Sequence, residues 1–195
     1  MSRRLGLLGL VVATAAHAEP PPLTPPDSSQ QAIGAELGIA AGGRVTPGGL
    51  HISGHYVYQL SDQDFFDGIA AFTLGGGSAA CFRDRENAFV CDHGLLQGGR
   101  VEVSANVRRY FGGRDQFWPF ARAGLGLGIV RYTGDSVTGL AIPLHLGGGV
   151  RAVASDGIAI VVEGELAAGF GVFNHSLGLQ PQLGVAITAG VEFRL

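Results

Sequence analysis

Cys81 and Cys91 are the only cysteines of the chain. In an oxidising compartment such a pair most simply forms a disulfide. Closing so short a loop contributes about 2–3 kcal/mol. A metal centre asks for several ligands in one place, and Cys91 offers only the adjoining Asp92 and His93. His51 and His55 are roughly 13–14 Å apart if they share one extended strand, so no metal site is expected. His175-Ser176 sets an imidazole beside a hydroxyl, the parts of a nucleophile and its base. Adjacent side chains of an extended segment point to opposite faces, and no acid follows closely. A polar loop is therefore expected there, with no catalytic residue assigned. Gly75-Gly76-Gly77 and Gly147-Gly148-Gly149 lack the Lys-Ser or Lys-Thr that a phosphate cradle carries. They suit strand bending or close approach instead, and no cofactor is implied.

These residues sit in an unusual background. Glycine supplies 33 of 195 residues, and all 13 basic residues are arginine. At 46% hydrophobic and 15% charged the chain is not disordered. A net charge of −3 argues against a nucleic-acid surface. Arg3 and Arg4, the apolar run Leu5–Ala16 and the small-x-small Ala16-His17-Ala18 read as a signal peptide over residues 1–18. Residues 19–31 hold Pro20, Pro21, Pro22, Pro25 and Pro26 and read as an extended periplasmic linker. Past residue 18 no run of about 18 apolar residues exists to make a transmembrane helix.

From residue 32 to 195 the hydrophobic period is two, and eight strands follow from it. Leu183, Val185, Ile187, Ala189, Val191, Phe193 and Leu195 share one face of the last. Gly184, Ala186, Thr188, Gly190, Glu192 and Arg194 share the other. The earlier strands run Ala32–Ile39, Leu50–Leu60, Phe65–Leu74, Val101–Arg108, Ala121–Ile129, Leu140–Arg151 and Val162–Phe170. Tight turns at Ser61–Asp64, Gly112–Asp115 and Ser155–Gly157 alternate with longer links at Ala41–Gly49, Gly75–Gly94, Thr133–Gly139 and Gly171–Gln182. Short and long links alternating along an even strand count is the plan of an all-β, eight-stranded, antiparallel up-and-down transmembrane barrel. A soluble barrel with its apolar face inward has the same strand count. The membrane form is favoured by long strands and by a polar face that is mostly small residues, poor material for a solvated surface. Tyr56, Tyr58, Tyr110, Phe111, Phe117, Trp118, Phe120 and Phe193 gather near one end, as an interfacial girdle would.

Inside such a barrel the polar face becomes a lumen just wide enough for side chains. Its acids are Glu36, Glu102, Glu163, Glu165 and Glu192, and its bases Arg100, Arg108, Arg122, Arg151 and Arg194. Buried charges are costly alone, so they are expected to pair in a network with Ser53, Gln59, Ser104, Asn106 and Thr188. His51, His55 and His145 fall on the same face, as polar filler bonded to the carboxylates. Inward glycines leave room for water, and a small, water-filled but interrupted lumen is expected.

The segments Asn106-Val107-Arg108-Arg109-Tyr110-Phe111-Gly112, Trp118–Gly126 and Gly190-Val191-Glu192-Phe193-Arg194-Leu195 carry a further likeness. The region 32–195 resembles the small eight-stranded bacterial outer-membrane β-barrel family typified by the OmpA membrane domain and OmpX. The resemblance implies residence in the outer membrane, contact with its lipids and lipopolysaccharide, insertion by the barrel-assembly machinery, and a monomer. It implies a structural or surface-interaction role, adhesin-like, through the external loops and without catalysis. Arg83-Asp84-Arg85-Glu86, between the cysteines, is a solvated hairpin tip or a contact for lipopolysaccharide phosphates. A narrow pore for small solutes is the alternative. A lipid A-modifying enzyme comes third, because the lipid A deacylases place one residue between histidine and serine, whereas His175 and Ser176 adjoin.

Overall fold

The structure, a computed structural model, describes residues 31–77, 80–83, 88–92, 95, 97–112 and 116–195. The expected signal peptide, and the linker up to residue 30, lie outside the described residues. Gln31 does not belong to the linker, because it opens the first strand.

Among the described residues there are ten strands: β1 (Gln31–Gly42), β2 (Gly49–Gln59), β3 (Asp64–Gly75), β4 (Ala80–Arg83), β5 (Phe89–Asp92), β6 (Gly98–Tyr110), β7 (Phe117–Tyr132), β8 (Val137–Ser155), β9 (Ile158–Phe173) and β10 (Gly178–Arg194). Eight close into a barrel in the order β1-β10-β9-β8-β7-β6-β3-β2, each antiparallel to its neighbours. Closure is made by β1 on β10, from Ala32 opposite Arg194 to Gly42 opposite Gly184. A closed sheet has no edge and satisfies its own backbone, the condition for crossing a bilayer as strands. The eight strands expected from alternation are all present. The hairpin β4–β5 is an addition inside the long link between β3 and β6.

The period of two decides which face is which. Leu37, Ile39, Leu125, Ile187 and Leu183 point outward with 57–69% of their surface exposed, while Glu36, Arg108, Arg122 and Glu192 are buried. Apolar out and charged in is the reverse of a soluble barrel. The outward band has polar margins. At the short-turn end Arg109 pairs with Asp64 through two hydrogen bonds of 2.7 and 2.8 Å. At the opposite, hairpin end the outward row closes on Arg131 and Thr138, paired across β7 and β8. Between Phe117 and Ile129 the band rises on the order of 30 Å if the strands tilt about 40°, enough for a hydrocarbon layer.

Two expectations fail here. Two links at the hairpin end, β7–β8 and β9–β10, are shorter than expected, because β8 starts at Val137, β9 runs to Phe173 and β10 starts at Gly178. Val130, Tyr132, Val137, Ala141 and Phe173 pack inward with Val45 as a buried apolar layer, and this packing carries the strands onward. His175 and Ser176 are then turn residues. Both have positive φ, 51° and 66°, and the Leu177 amide donates to the Asn174 carbonyl at 3.3 Å. That is the signature of a primed two-residue hairpin turn. The aromatic girdle is also thinner than expected. Tyr56, Tyr58, Phe111, Phe117 and Phe193 do face outward, but Tyr110, Trp118 and Phe120 are only 3–4% exposed. They share the inward parity of Arg108 and Arg122. With Phe65, Ala32, Val57 and Val161 they form a second buried layer, at the short-turn end. Phe65 and Phe120 both meet Tyr110 edge-on, with ring centroids 5.3 and 5.9 Å apart.

Candidate functional site: a sealed polar lumen

Between the two apolar layers lie the charged side chains, ordered into two chains of contacts. The lower one begins at Arg151 on β8, whose Nε donates to Glu192 Oε1 at 2.7 Å. The other oxygen of Glu192 accepts from Arg108 Nη1 at 2.9 Å. Arg108, with no exposed surface, donates to Asp67 Oδ2 through Nε and Nη2 at 3.1 and 2.7 Å. Its guanidinium also lies 4.6 Å from the centre of the Phe120 ring. Asp67 Oδ1 meets His55 Nδ1 at 3.1 Å, and His55 Nε2 lies 3.5 Å from Glu36 Oε1. Thr188 donates to the other oxygen of Glu36. This chain ties β8, β10, β6, β3, β2 and β1 together across the lumen.

The upper chain begins at Arg100, which pairs with Glu102 on the same strand. Glu102 Oε1 lies 2.7 Å from His145 Nε2, and His145 Nδ1 is 2.8 Å from Glu165 Oε1. Glu165 also pairs with Arg122, and Arg122 with Glu163. Outside both chains, His51 Nδ1 shares a hydrogen bond with Thr73 Oγ1 at 2.9 Å.

The structure thus brings Glu36, Glu102, Arg108, Arg122, Arg151, Glu163, Glu165 and Glu192 into the lumen. Arg194 is not among them. It has the inward parity but is exposed, because β10 reaches the short-turn rim there, beyond the Tyr110–Trp118 layer. Asp67 is the residue that sequence reasoning missed. It has no exposed surface and holds Arg108. Its signal was the parity it shares with Phe65, Ile69 and Thr73, which is masked by the apolar pair Phe65-Phe66.

Glycine makes the room. A Cβ at Gly126 would come within 2.7 Å of His145 Nε2 and 3.0 Å of Glu102 Oε1, and one at Gly147 within 2.5 Å of Glu163 Oε1. Gly126→Val is expected to destabilise the folded barrel by about 1–3 kcal/mol through overpacking. Gly164→Ala is the control, because its Cβ meets nothing within 4 Å. Urea unfolding midpoints in phospholipid vesicles read the difference.

Among the described residues the lumen cavities are small. The lumen cavity beside His51, Arg100 and His145 measures about 30 Å³, and the one beneath it, beside His55 and Arg122, about 20 Å³. Each accommodates a water or two. Among the described residues no group of three or more His, Cys, Asp or Glu side chains is arranged to hold a metal ion.

No family model matches the chain, and no curated protein matches it in sequence. Solved structures do. Neisserial surface protein A superposes on it with a TM-score of 0.63, covering 86% of this chain and 98% of that one at 13% identity. The fold is that of the small outer-membrane β-barrels. Two weaker likenesses are the attachment invasion locus protein Ail of Yersinia pestis and the N-terminal barrel domain of Pseudomonas aeruginosa OprF. Ail gives a TM-score of 0.48 at 15% identity, over 84% of this chain and 97% of that one. The OprF barrel gives 0.47 at 13% identity, over 83% and 97%. With its outward apolar band, this chain is a membrane-spanning barrel.

Proposed function

We propose that the chain is a bacterial outer-membrane protein whose role is carried by its external surface, as a structural or surface-interaction (adhesin-like) barrel and not as an enzyme. The observation that carries this reading is the sealed lumen. Apolar layers close both ends, and the space between is crossed by two ionic chains with cavities of only about 30 and 20 Å³. A pore for solutes needs a continuous wet path, so the narrow-pore alternative is the weaker one. His175 and Ser176 are committed to a tight turn, which removes the motivation for lipid A chemistry there.

The remaining parts fit one route. Residues 1–18 act as a cleaved signal peptide and residues 19–30 as the periplasmic lead into β1. The barrel-assembly machinery inserts the chain as a monomer among outer-membrane lipids and lipopolysaccharide, with the short turns periplasmic. The hairpin β4–β5 then stands outside the cell. Cys81 lies directly opposite Cys91 in it, and residues opposed across an antiparallel pair are about 4.5–5.5 Å apart at Cα, within disulfide range. A Cys81–Cys91 bridge stiffens the element best placed to meet a partner.

Planar-bilayer recording of the folded chain tests the reading. Insertion without stable single-channel steps is the expected result. Reproducible steps whose selectivity changes in Glu102→Gln overturn it in favour of a pore. Attachment of displaying cells to an epithelial monolayer, with and without residues 80–92 replaced by a Gly-Ser turn, separates the two surface roles. Attachment lost with the hairpin marks an adhesin, and no attachment by either form marks a structural barrel.

A further inference from the structure

A hollow of about 1070 Å³ lies on the lipid-facing wall, outside the lumen. Its floor is one row of residues opposed in register. Arg109 on β6 faces Ala121 on β7, Ala121 faces Gly148 on β8, Gly148 faces Gly164 on β9, and Gly164 faces Ile187 on β10. Ala121, Gly148 and Gly164 in succession withhold the bulk that a lipid-facing row otherwise carries. The rows on either side keep theirs. Leu146 and Leu166 pair on the hairpin side of the two glycines, and Val150 and Val162 on the short-turn side, each at least 40% exposed. The result is an apolar trough with aliphatic walls.

The trough is inclined, because strands tilted about 40° carry a perpendicular row at the same angle to the membrane plane. Arg109 is next to the last residue of β6 at the short-turn rim, whereas Gly148 and Ile187 lie well inside β8 and β10. At about 4.8 Å per strand the row is roughly 19 Å long and rises about 12 Å, most of one leaflet's hydrocarbon. It follows the course of an acyl chain from mid-membrane to headgroup level. The lower end carries charge of both signs. Asp64 continues the row opposite Arg109, and their side chains are 25% and 54% exposed. Their two hydrogen bonds use Arg109 Nε and Nη2 and leave Nη1 to donate elsewhere. Asp64 Oδ2 also accepts from Ser61 Oγ at 3.2 Å, so the spare acceptor capacity lies on Oδ1. A cation and an anion side by side, with no net charge, complement a headgroup built the same way. A phosphate accepts from Arg109, and a primary ammonium donates to Asp64. An anionic lipid would set a second negative charge against Asp64, and a quaternary ammonium has no N–H to give.

We propose that the trough binds one phosphatidylethanolamine from the leaflet at the short-turn end, with an acyl chain over Ala121, Gly148 and Gly164, the phosphate on Arg109 and the ammonium on Asp64. A lipid tail gains no hydrophobic energy in moving from bilayer to barrel wall, so packing in the trough holds the chain. The headgroup pairing selects the lipid. The inference rests on the membrane-spanning barrel and is independent of the surface role.

Native mass spectrometry of the full chain tests this, after folding into nanodiscs of equal parts phosphatidylethanolamine, phosphatidylglycerol and phosphatidylcholine with identical acyl chains. One retained phosphatidylethanolamine per barrel is expected, favoured about fivefold over either competitor, the upper end for a surface charge pair. Asp64→Asn keeps the shape of the side chain and is expected to abolish the preference over phosphatidylcholine. Gly164→Leu fills the trough at a position where a Cβ meets nothing within 4 Å, and is expected to reduce the retained lipid severalfold. The wild-type competition needs no variant, so it decides the matter even where a substituted chain does not fold. Equal retention of the three lipids, or a preference for phosphatidylglycerol, overturns the proposal. So does a preference that both variants leave unchanged, or a barrel dimer that Gly164→Leu dissociates, which would make a second copy the occupant.

Discussion

Arg108→Met is expected to destabilise the barrel by about 3–5 kcal/mol, the cost of leaving buried charge without its partner. Arg108 has no exposed surface and neutralises two carboxylates, Asp67 and Glu192, at 2.7 and 2.9 Å. Methionine keeps the length of the side chain and its contact with the Phe120 ring but supplies no donor. Asp67 then keeps only His55, and Glu192 only Arg151. Arg108→Met with Asp67→Leu is expected to recover a large part of the loss, since removing both partners of a buried pair costs far less than removing one. Equilibrium urea unfolding into vesicles, with the four forms compared as a double-mutant cycle, reads the coupling. An Arg108→Met barrel as stable as wild type would mean that water reaches the lower chain and that the lumen is not sealed.

Leu125→Arg is expected to cost about 2–4 kcal/mol, the penalty for a lipid-facing arginine near the bilayer midplane. Leu125 points outward, 61% exposed, close to the middle of β7. The same substitution at Phe117, on the same face at the short-turn rim, is expected to cost about 0–1 kcal/mol, because an interfacial arginine reaches headgroups and water. The depth dependence is the diagnostic. A barrel standing in water would show the reverse of a penalty, since replacing a solvent-exposed leucine there is close to neutral or favourable. Unfolding free energies of the two variants in vesicles, set beside wild type, are the measurement.

The strand count, the alternation and the direction of the barrel were legible along the chain, because side chains of a strand alternate faces with a period of two and a lipid-facing barrel needs one unbroken apolar face. Eight of the nine residues named for the lumen network were legible on the same ground. Arg194 was not, since parity says which side a residue faces and not where the lumen stops. Tyr110, Trp118 and Phe120 show the opposite error. Their parity matched Arg108 and Arg122, yet an aromatic near a strand end also fits a girdle, and only packing against Phe65 and Val161 separates the two. The hairpin β4–β5 was legible only as a tip between the cysteines, because its strands are short and lie within a link rich in polar residues.

Sequence by itself determined the class of fold, the outward face and the stock of lumen charges, because each depends on residue type and local periodicity. Tertiary structure alone decided which acid meets which base. Strands distant in sequence become neighbours only when β1 closes on β10 and the eight registers are set. Asp67 reaches Arg108, His55 falls between Asp67 and Glu36, and His145 between Glu102 and Glu165, through contacts that span many residues of chain and several strands of the wall. The sealing of the lumen was decided at the same step, since its two apolar layers draw Phe65, Tyr110, Trp118 and Val161 to one end and Val45, Tyr132, Val137 and Phe173 to the other.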